Sequence, residues 1–137
     1  MEKPNNIVRI PCSLDKSFFR FWFLFLKPFH NLTDREMDVL IGLLKNRYEL
    51  SKVIKDGNIL DTVALSEESK KKVMSECNMK LPHFQVIMGK LRHTNIIINN
   101  KINPRFIPNI NEEGSTFKLL LLFELNDTPT DSKIDSK

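Results

Sequence analysis

The sequence is poor in the residues that build most catalytic and metal sites. Its 137 residues include only four glycines and two cysteines, Cys12 and Cys77. Cysteines so far apart do not suggest a zinc knuckle, and they predict a reduced, intracellular chain. Four glycines supply no glycine-rich phosphate loop, the three histidines are scattered, and no H-E-x-x-H or G-x-S-x-G motif occurs. We therefore expect no catalytic residues, no metal site and no cofactor, and a protein that is not an enzyme.

Long hydrophobic runs are also missing. The most apolar stretch, FFRFWFLFL at 18–26, is short, contains Arg20 and ends at Lys27-Pro28. A transmembrane helix needs about 20 apolar residues, so this stretch is too short to span a bilayer. The N-terminal MEKPNN is polar and lacks the apolar centre of a signal peptide. These features predict no membrane association and a cytoplasmic location.

Positive charge is concentrated in the middle of the chain, although the net charge of the whole is only +4. Residues 1–65 carry ten basic and eight acidic side chains, residues 66–106 carry eight and three, and residues 107–137 carry three and six. The central segment therefore has a net charge of +5. A basic centre followed by an acidic end suits a nucleic-acid surface, with a merely solvated face as the alternative.

Two helices are predicted in the first third of the chain. The first runs from about Ser13 or Asp15 to Leu26, and because it is apolar nearly all round it must be buried in the core or covered by a partner. The second begins after Thr33, whose side chain can act as N-cap while Glu36, three residues on, completes a capping box. Apolar residues at 37, 40, 41, 44 and 48 then fall on one helical face.

Two further helices with a tight turn between them are predicted in the basic segment. Ser66 is the N-cap of a helix that ends near Cys77, and "NMK" forms the turn. Pro82 suits the first turn of the next helix, which ends at Thr94-Asn95 because Asn accepts the left-handed conformation of a helix C-terminus. Residues 51–65 stay open between a short helix and a strand, with a turn at "DGN".

Strands are expected near both ends of this helical region. "NIVRI" at 6–10 has the composition of a short strand that Pro11 stops. "IIINNKI" at 96–102 and "TFKLLLLFEL" at 116–125 are expected to be two strands joined by an irregular loop. The polar residues 126–137 are expected to be a disordered tail.

These elements predict an α+β fold, mainly α with a small β-hairpin. It is a winged helix-turn-helix over residues 13–125 with an extra aromatic N-terminal helix, preceded by an arm or strand at 1–12. The buried face of its third helix is expected to be Phe84, Ile87, Met88 and Leu91. Basic and polar side chains on the two helices and the wing would face phosphates or base edges. The candidate DNA-binding residues are Lys70, Lys71, Lys72, Lys80, His83, Gln85, Lys90, Arg92, Lys101 and Arg105.

The stretch "LSEESKKKVMSECNMKLPHFQVIMGKLRHTNII", followed by "KINPRFI", resembles the winged-helix domains of plasmid and phage replication initiators of the RepL kind. Asn103, Pro104 and Phe106 match the "INP.f" element that enters the wing of that family. Leu91, Ile96 and Ile97 match the pattern that precedes it. The chain departs from the family at "RHTN", where a basic residue and a glycine are usual. The resemblance implies a winged helix that binds double-stranded DNA.

The sequence therefore predicts a sequence-specific DNA-binding protein that regulates transcription or replication. Asn, Ile and Lys make up 41 of the 137 residues, which indicates an AT-rich genome. A small winged helix encoded in such a genome also suits a bacteriophage. The alternative is a phage structural or protein-interaction module with the same fold, which would place the chain in a virion instead of the host cytoplasm. A homodimer is expected because small winged-helix proteins pair to read two half-sites, with the aromatic helix 15–29 as dimer contact or as part of the core.

Overall fold

The computed structural model of the chain describes residues 7–14, 17–110 and 116–126. The described part is mainly helical with one small antiparallel sheet, so the expected α+β class is confirmed at that level. The chain divides into two units, Met1–Ile107 and Pro108–Lys137. The first unit holds α1 (Ser17–Phe25), α2 (Lys27–His30), α3 (Asp34–Ser51), α4 (Gly57–Ala64), α5 (Glu67–Glu76), α6 (Leu81–His93), β1 (Ile97–Ile98), β2 (Lys101–Ile102) and a 3-10 turn (Pro104–Phe106).

Helix α3 is the central element, in contact with α1, α4, α5 and α6. It begins as the sequence predicts. The Thr33 hydroxyl accepts a bond from the Glu36 N–H at 3.3 Å, and the Glu36 carboxylate accepts one from the Thr33 N–H at 2.9 Å. Leu32 and Met37, on either side of this capping box, are both buried. Two otherwise unpaired N–H groups are thereby satisfied where α3 enters the core.

The aromatic helix α1 completes this core with one of its faces. Its buried side chains are Phe18, Phe19, Trp22 and Phe23, and Leu26 just beyond the helix is half-buried. The indole Nε1 of Trp22 donates to the Phe106 carbonyl at 2.9 Å, which ties α1 to the 3-10 turn. The opposite face leaves Phe21, Leu24 and Phe25 exposed. The helix ends one residue before the predicted Leu26, and Asp15 lies outside the described residues.

The stretch that the sequence left open forms a helix. The Asp56 carboxylate accepts bonds from the N–H groups of Asn58 and Ile59, at 2.9 and 3.1 Å, and this cap starts α4 where a turn was expected. Leu60 and Ala64, four residues apart, are its buried positions. One apolar stripe is therefore enough to hold this short helix against α3 and α5.

The predicted pair of helices in the basic segment is confirmed. Ser66 caps α5 by accepting a bond from the Ser69 N–H, and Pro82 lies in the first turn of α6. Asn78 in the turn and Asn95 after α6 have φ values of 53° and 65°, both in the left-handed region. The four residues predicted as the inner face of α6 are all buried.

The prediction of one strand at 96–102 is wrong. Asn99 and Asn100 both have positive φ, 54° and 60°, and the chain reverses there so that β1 pairs with β2. Two consecutive left-handed residues are what a two-residue hairpin turn of type I′ requires. Because β1 finds its partner within the same run, it needs no strand from 116–125, and the described residues 116–126 have no regular secondary structure. The second predicted strand is therefore also wrong.

The expected N-terminal strand is not formed either. Residues 7–10 are exposed and have no regular structure, while Asn6 lies outside the described residues, as does the predicted tail beyond Asn126. A strand needs a neighbour for its backbone hydrogen bonds, and within the described residues the only sheet is the one of β1 and β2. The β-branched composition of "NIVRI" favours a strand, but these residues have no neighbouring strand among the described residues to pair with.

Candidate nucleic-acid interface

Three contacts fix α6 and α5 on α3. The Lys90 ammonium lies 2.9 Å from the Glu36 carboxylate and so joins α6 to the start of α3. Arg35 donates from Nη2 to the carbonyl of Cys77 at 3.0 Å, at the C-terminal end of α5. Gly42 lies so close to α5 that a Cβ there would be 2.8 Å from Cγ1 of Val73. The inner sides of α5 and α6 are therefore packed tightly on α3, and the outer face of the α5–turn–α6 unit is held in a fixed position.

A buried polar link adds to the contact between α3, α4 and α5. Asn46 donates from Nδ2 to the Ser69 hydroxyl at 3.0 Å, and that hydroxyl donates to the Val63 carbonyl at 2.8 Å. Asn46 and Ser69 are both buried. Since unpaired buried polar groups are costly, this chain of bonds holds α5 in one position on α3.

Electrostatics around Glu36 favours the same arrangement. Burial disfavours the charged carboxylate, but the Thr33 N–H and the Lys90 ammonium outweigh that effect and hold the pKa of Glu36 below its ordinary value. The carboxylate is thus charged at neutral pH and neutralises Lys90. Lys90 was expected to meet phosphate, and in the folded chain its charge is already matched by a protein partner.

The outward face of α6 is divided into three rows by the helical repeat of 100° per residue. The middle of the face carries Val86, Gly89 and His93, at spacings of three and four residues. Gln85 and Arg92, seven residues apart, form one flank. His83 and Lys90 form the other in the same way. Val86 is 70% exposed, and nothing lies within 4 Å of a Cβ built at Gly89.

Val86, Gly89 and His93 were not among the predicted contact residues, although the sequence placed them on the outer face. Charged and amide side chains are the usual contacts of phosphates and base edges, whereas Val86 is apolar and Gly89 has no side chain. Their spacing along the helix was the signal that identifies the centre of the face. A valine there can contact a thymine methyl group, and a glycine lets the helix backbone approach a groove closely.

Four of the predicted cations have no protein partner in the part of the chain that the structure describes. Lys71 on α5, Lys80 before α6, Arg92 near the end of α6 and Lys101 on β2 are exposed, and among the described residues none of them has an ion pair. By contrast, each lysine and arginine of residues 17–65 has a partner: a carboxylate for Arg20, Arg35, Lys45 and Arg47, a backbone carbonyl for Lys27 and Lys55, and the Tyr48 ring for Lys52.

The other basic residues of the predicted set have protein partners. Lys70 lies 3.5 Å from the Glu67 carboxylate on the same helix. Lys72 lies 3.6 Å from the Glu49 carboxylate of α3. Arg105 was expected in the wing, and instead it lies in the 3-10 turn with its guanidinium 6.0 Å from the centre of the Phe29 ring. His83 and Gln85 are exposed near the start of α6, as expected.

The described residues contain no cluster of histidine, cysteine and carboxylate side chains that would hold a metal ion. Both thiols are free. None of the helices in this part of the chain has the length and apolar character needed to cross a membrane. Comparisons with protein-family models, with curated proteins and with solved structures found no match.

Proposed function

We propose that the chain is a winged-helix protein that binds double-stranded DNA sequence-specifically and regulates transcription or replication. In this proposal α5 and α6 are the helix-turn-helix, α6 is the recognition helix, and the hairpin of β1 and β2 is a short wing. The order of these elements supports the assignment, because a helix pair with a tight turn followed by a hairpin is the arrangement of that motif.

The distribution of free cations carries the proposal. Lys71, Lys80, Arg92 and Lys101 are exposed, have no ion pair among the described residues and all lie between residues 71 and 101. Phosphate oxygens would supply the missing counter-charges, and releasing the counterions of DNA would supply much of the binding free energy. Base edges would then be read from α6 by Gln85, Val86 and His93.

A protein of this size gains affinity by reading two half-sites as a homodimer. The aromatic helix was expected either to complete the core or to supply the dimer contact, and one of its faces does lie in the core. The opposite face, with Phe21, Leu24 and Phe25, remains exposed, so a contact with a second copy through this helix stays open.

The second candidate function is a phage structural or protein-interaction module. The observation that favours it is the amount of exposed apolar surface on α1, which suits contact with another protein. The two functions place the binding surface on different elements. DNA binding uses α5, α6 and the hairpin, and the structural function uses α1.

The test is a titration of a labelled duplex of random sequence with the full chain at several salt concentrations. The proposal expects the logarithm of the affinity to fall steeply and linearly with the logarithm of the salt concentration. A separate selection experiment should enrich particular duplex sequences. Glu68→Lys, which replaces a negative with a positive charge in the first turn of α5, should tighten non-specific binding, while Asp34→Lys, the same change in the first turn of α3, serves as its comparison. Absence of duplex binding even at low salt would support the structural module instead.

A further inference from the structure

Residues 118–125 of the second unit have the pattern of an amphipathic strand. The side chains at 119, 121, 123 and 125 are Leu, Leu, Phe and Leu, whereas those at 118, 120, 122 and 124 are Lys, Leu, Leu and Glu. Successive side chains of a strand point to opposite faces. One face of such a strand would therefore be wholly apolar. The other would have two leucines flanked by one positive and one negative charge.

This strand pattern has no partner for its backbone within the described part of the chain. Residues 118–126 have no regular secondary structure, and no backbone–backbone hydrogen bond between described residues involves them. Leu122, Phe123 and Leu125 are 77%, 82% and 89% exposed. Exposed apolar side chains on an unpaired backbone are what a strand offers to a strand of another molecule.

We propose that residues 118–125 pair with the same residues of a second copy, as an antiparallel two-stranded ribbon with its two-fold axis at Leu121. In this register Lys118 lies opposite Glu124 of the second copy. Leu119 lies opposite Phe123, and Leu120 opposite Leu122. The two-fold axis repeats each pair, so a Lys118–Glu124 pair of opposite charges lies at each end of the ribbon.

The two charges select this arrangement from the alternatives. A parallel, in-register pair would set Lys118 against Lys118 and Glu124 against Glu124, which is unfavourable. An antiparallel pair shifted along the strand would leave these charges without opposite partners. The exposed face of α1 is a rival contact, but its Phe21, Leu24 and Phe25 define no comparable register. None of the candidate DNA-binding residues lies in 118–125, so this inference stands or falls independently of DNA binding.

Charge exchange is the first experiment, with the dimer dissociation constant of the full chain measured by sedimentation equilibrium. Lys118→Glu sets glutamate against glutamate at both ends, and Glu124→Lys sets lysine against lysine, so each should raise the dissociation constant about tenfold. The double variant restores opposite charges and should bind as the unaltered chain does. An equimolar mixture of the two single variants should form a heterodimer of similar affinity. Glu76→Lys, the same charge change on α5, should have no effect.

Cross-linking tests the register itself. In a chain carrying Cys12→Ser and Cys77→Ser, Leu121→Cys places two thiols opposite each other on the two-fold axis, and mild oxidation should give a disulfide-linked dimer. Leu125→Cys lies opposite Phe117, so its two thiols would be about 27 Å apart along the ribbon at 3.4 Å per residue and should not cross-link. Helical circular dichroism and Trp22 emission show that each variant keeps the first unit folded.

Three results would overturn the inference. One is a chain that stays monomeric at the highest attainable concentration. Another is a dimer whose dissociation constant is the same in both single charge variants. The third is dissociation by Phe25→Ser on α1 while the charge variants have no effect, which would place the contact on the aromatic helix.

Discussion

At the scale of single residues, asparagine occupies the left-handed backbone positions that glycine occupies in many other proteins. The described non-glycine residues with positive φ are Asn31, Asn78, Asn95, Asn99 and Asn100, and none of the described glycines has a positive φ. Asparagine tolerates the left-handed region because its short polar side chain bonds locally to the backbone. Helix ends and the hairpin turn therefore depend on asparagines, and substitutions there act through backbone strain.

Asn100 gives the direct test of that dependence. Asn100→Ala should lower the free energy of unfolding by about 1 kcal/mol because alanine pays a steric cost in the left-handed region, and Asn100→Gly should leave it equal or raise it. Urea denaturation followed by Trp22 emission measures both. Asn58→Ala, in the first turn of α4, is the comparison and should have little effect. Equal losses for the alanine variants at 100 and 58 would refute the strain argument.

His30 is a buried residue whose neutral form is built into the structure. Its Nδ1 accepts a bond from the Leu32 N–H at 2.9 Å, and its Nε2 lies 2.7 Å from the Phe23 carbonyl, so the tautomer protonated at Nε2 satisfies both partners. Burial lowers the pKa of His30 below its ordinary value. The bond to Phe23 opposes this effect, and the charge of Lys27 adds to it.

Folding should consequently weaken in mild acid. The unfolded chain takes up a proton at His30 near pH 6.5, whereas the folded chain does not until a lower pH. The contribution of neutral His30 to the free energy of unfolding is therefore fully present above about pH 6.5. It is lost as the pH falls from there toward the pKa of His30 in the folded chain, by at most about 1.4 kcal/mol per pH unit. Urea unfolding at a series of pH values measures the slope. His30→Gln should flatten it.

At the scale of elements, helix packing decides whether replacing a glycine lowers or raises the free energy of unfolding. A Cβ at Gly42 would lie 2.8 Å from Cγ1 of Val73, a stiff and fully buried side chain, whereas a Cβ at Gly89 meets nothing within 4 Å. Gly42→Ala should therefore destabilise the chain by about 1 to 3 kcal/mol because α3 and α5 must separate. Gly89→Ala should stabilise it by roughly 0.5 to 1 kcal/mol through helix propensity.

Thermal and urea unfolding of the two variants test this difference, since the same chemical change is made in two helices. Similar shifts in both would mean that α3 and α5 do not approach as closely as Gly42 indicates. Gly89 has a second use. If duplex binding weakens in the more stable Gly89→Ala variant, the centre of the outer face of α6 lies against DNA, because a gain in stability cannot explain the loss.

Element prediction succeeded where one signal had one structural meaning. The capping box of Thr33 and Glu36 gave the start of α3, and the Ser66 cap, Pro82 and Asn95 gave α5 and α6 with nearly their observed ends. Prediction failed for strands, because strand propensity does not say where the partner is. The run 96–102 contained its own turn at Asn99-Asn100. Asn-Asn is a weaker hairpin-turn signal than Asn-Gly, and the isoleucines on either side of it favour one continuous strand.

The candidate site was predicted only in part for a similar reason. The sequence identified the exposed side of α6 and the basic segment. It could not show that Lys72 lies beside Glu49 or Lys90 beside Glu36, because those carboxylates belong to α3 and are brought close only by folding. Net charge by segment thus overstates the charge available to a ligand.

At the scale of the whole molecule, the matched and unmatched cations should differ in how they respond to salt. Arg92→Ala and Lys101→Ala each remove a charge that has no protein partner among the described residues, so each should weaken binding to every duplex. Each should also reduce the slope of log affinity against log salt by about one unit. Lys90→Ala, two residues from Arg92 on α6, removes a charge that Glu36 neutralises, and its slope should change less.

Gln85→Ala completes the set, since it removes no charge. It should leave the salt slope unchanged and lower discrimination between preferred and random duplexes by roughly 1 to 3 kcal/mol. Fluorescence anisotropy of labelled duplexes at several salt concentrations measures affinity, slope and discrimination together. If Arg92→Ala and Lys101→Ala leave both affinity and slope as they are, the basic segment 66–106 does not face DNA, and the exposed apolar surfaces become the place to look for this protein's function.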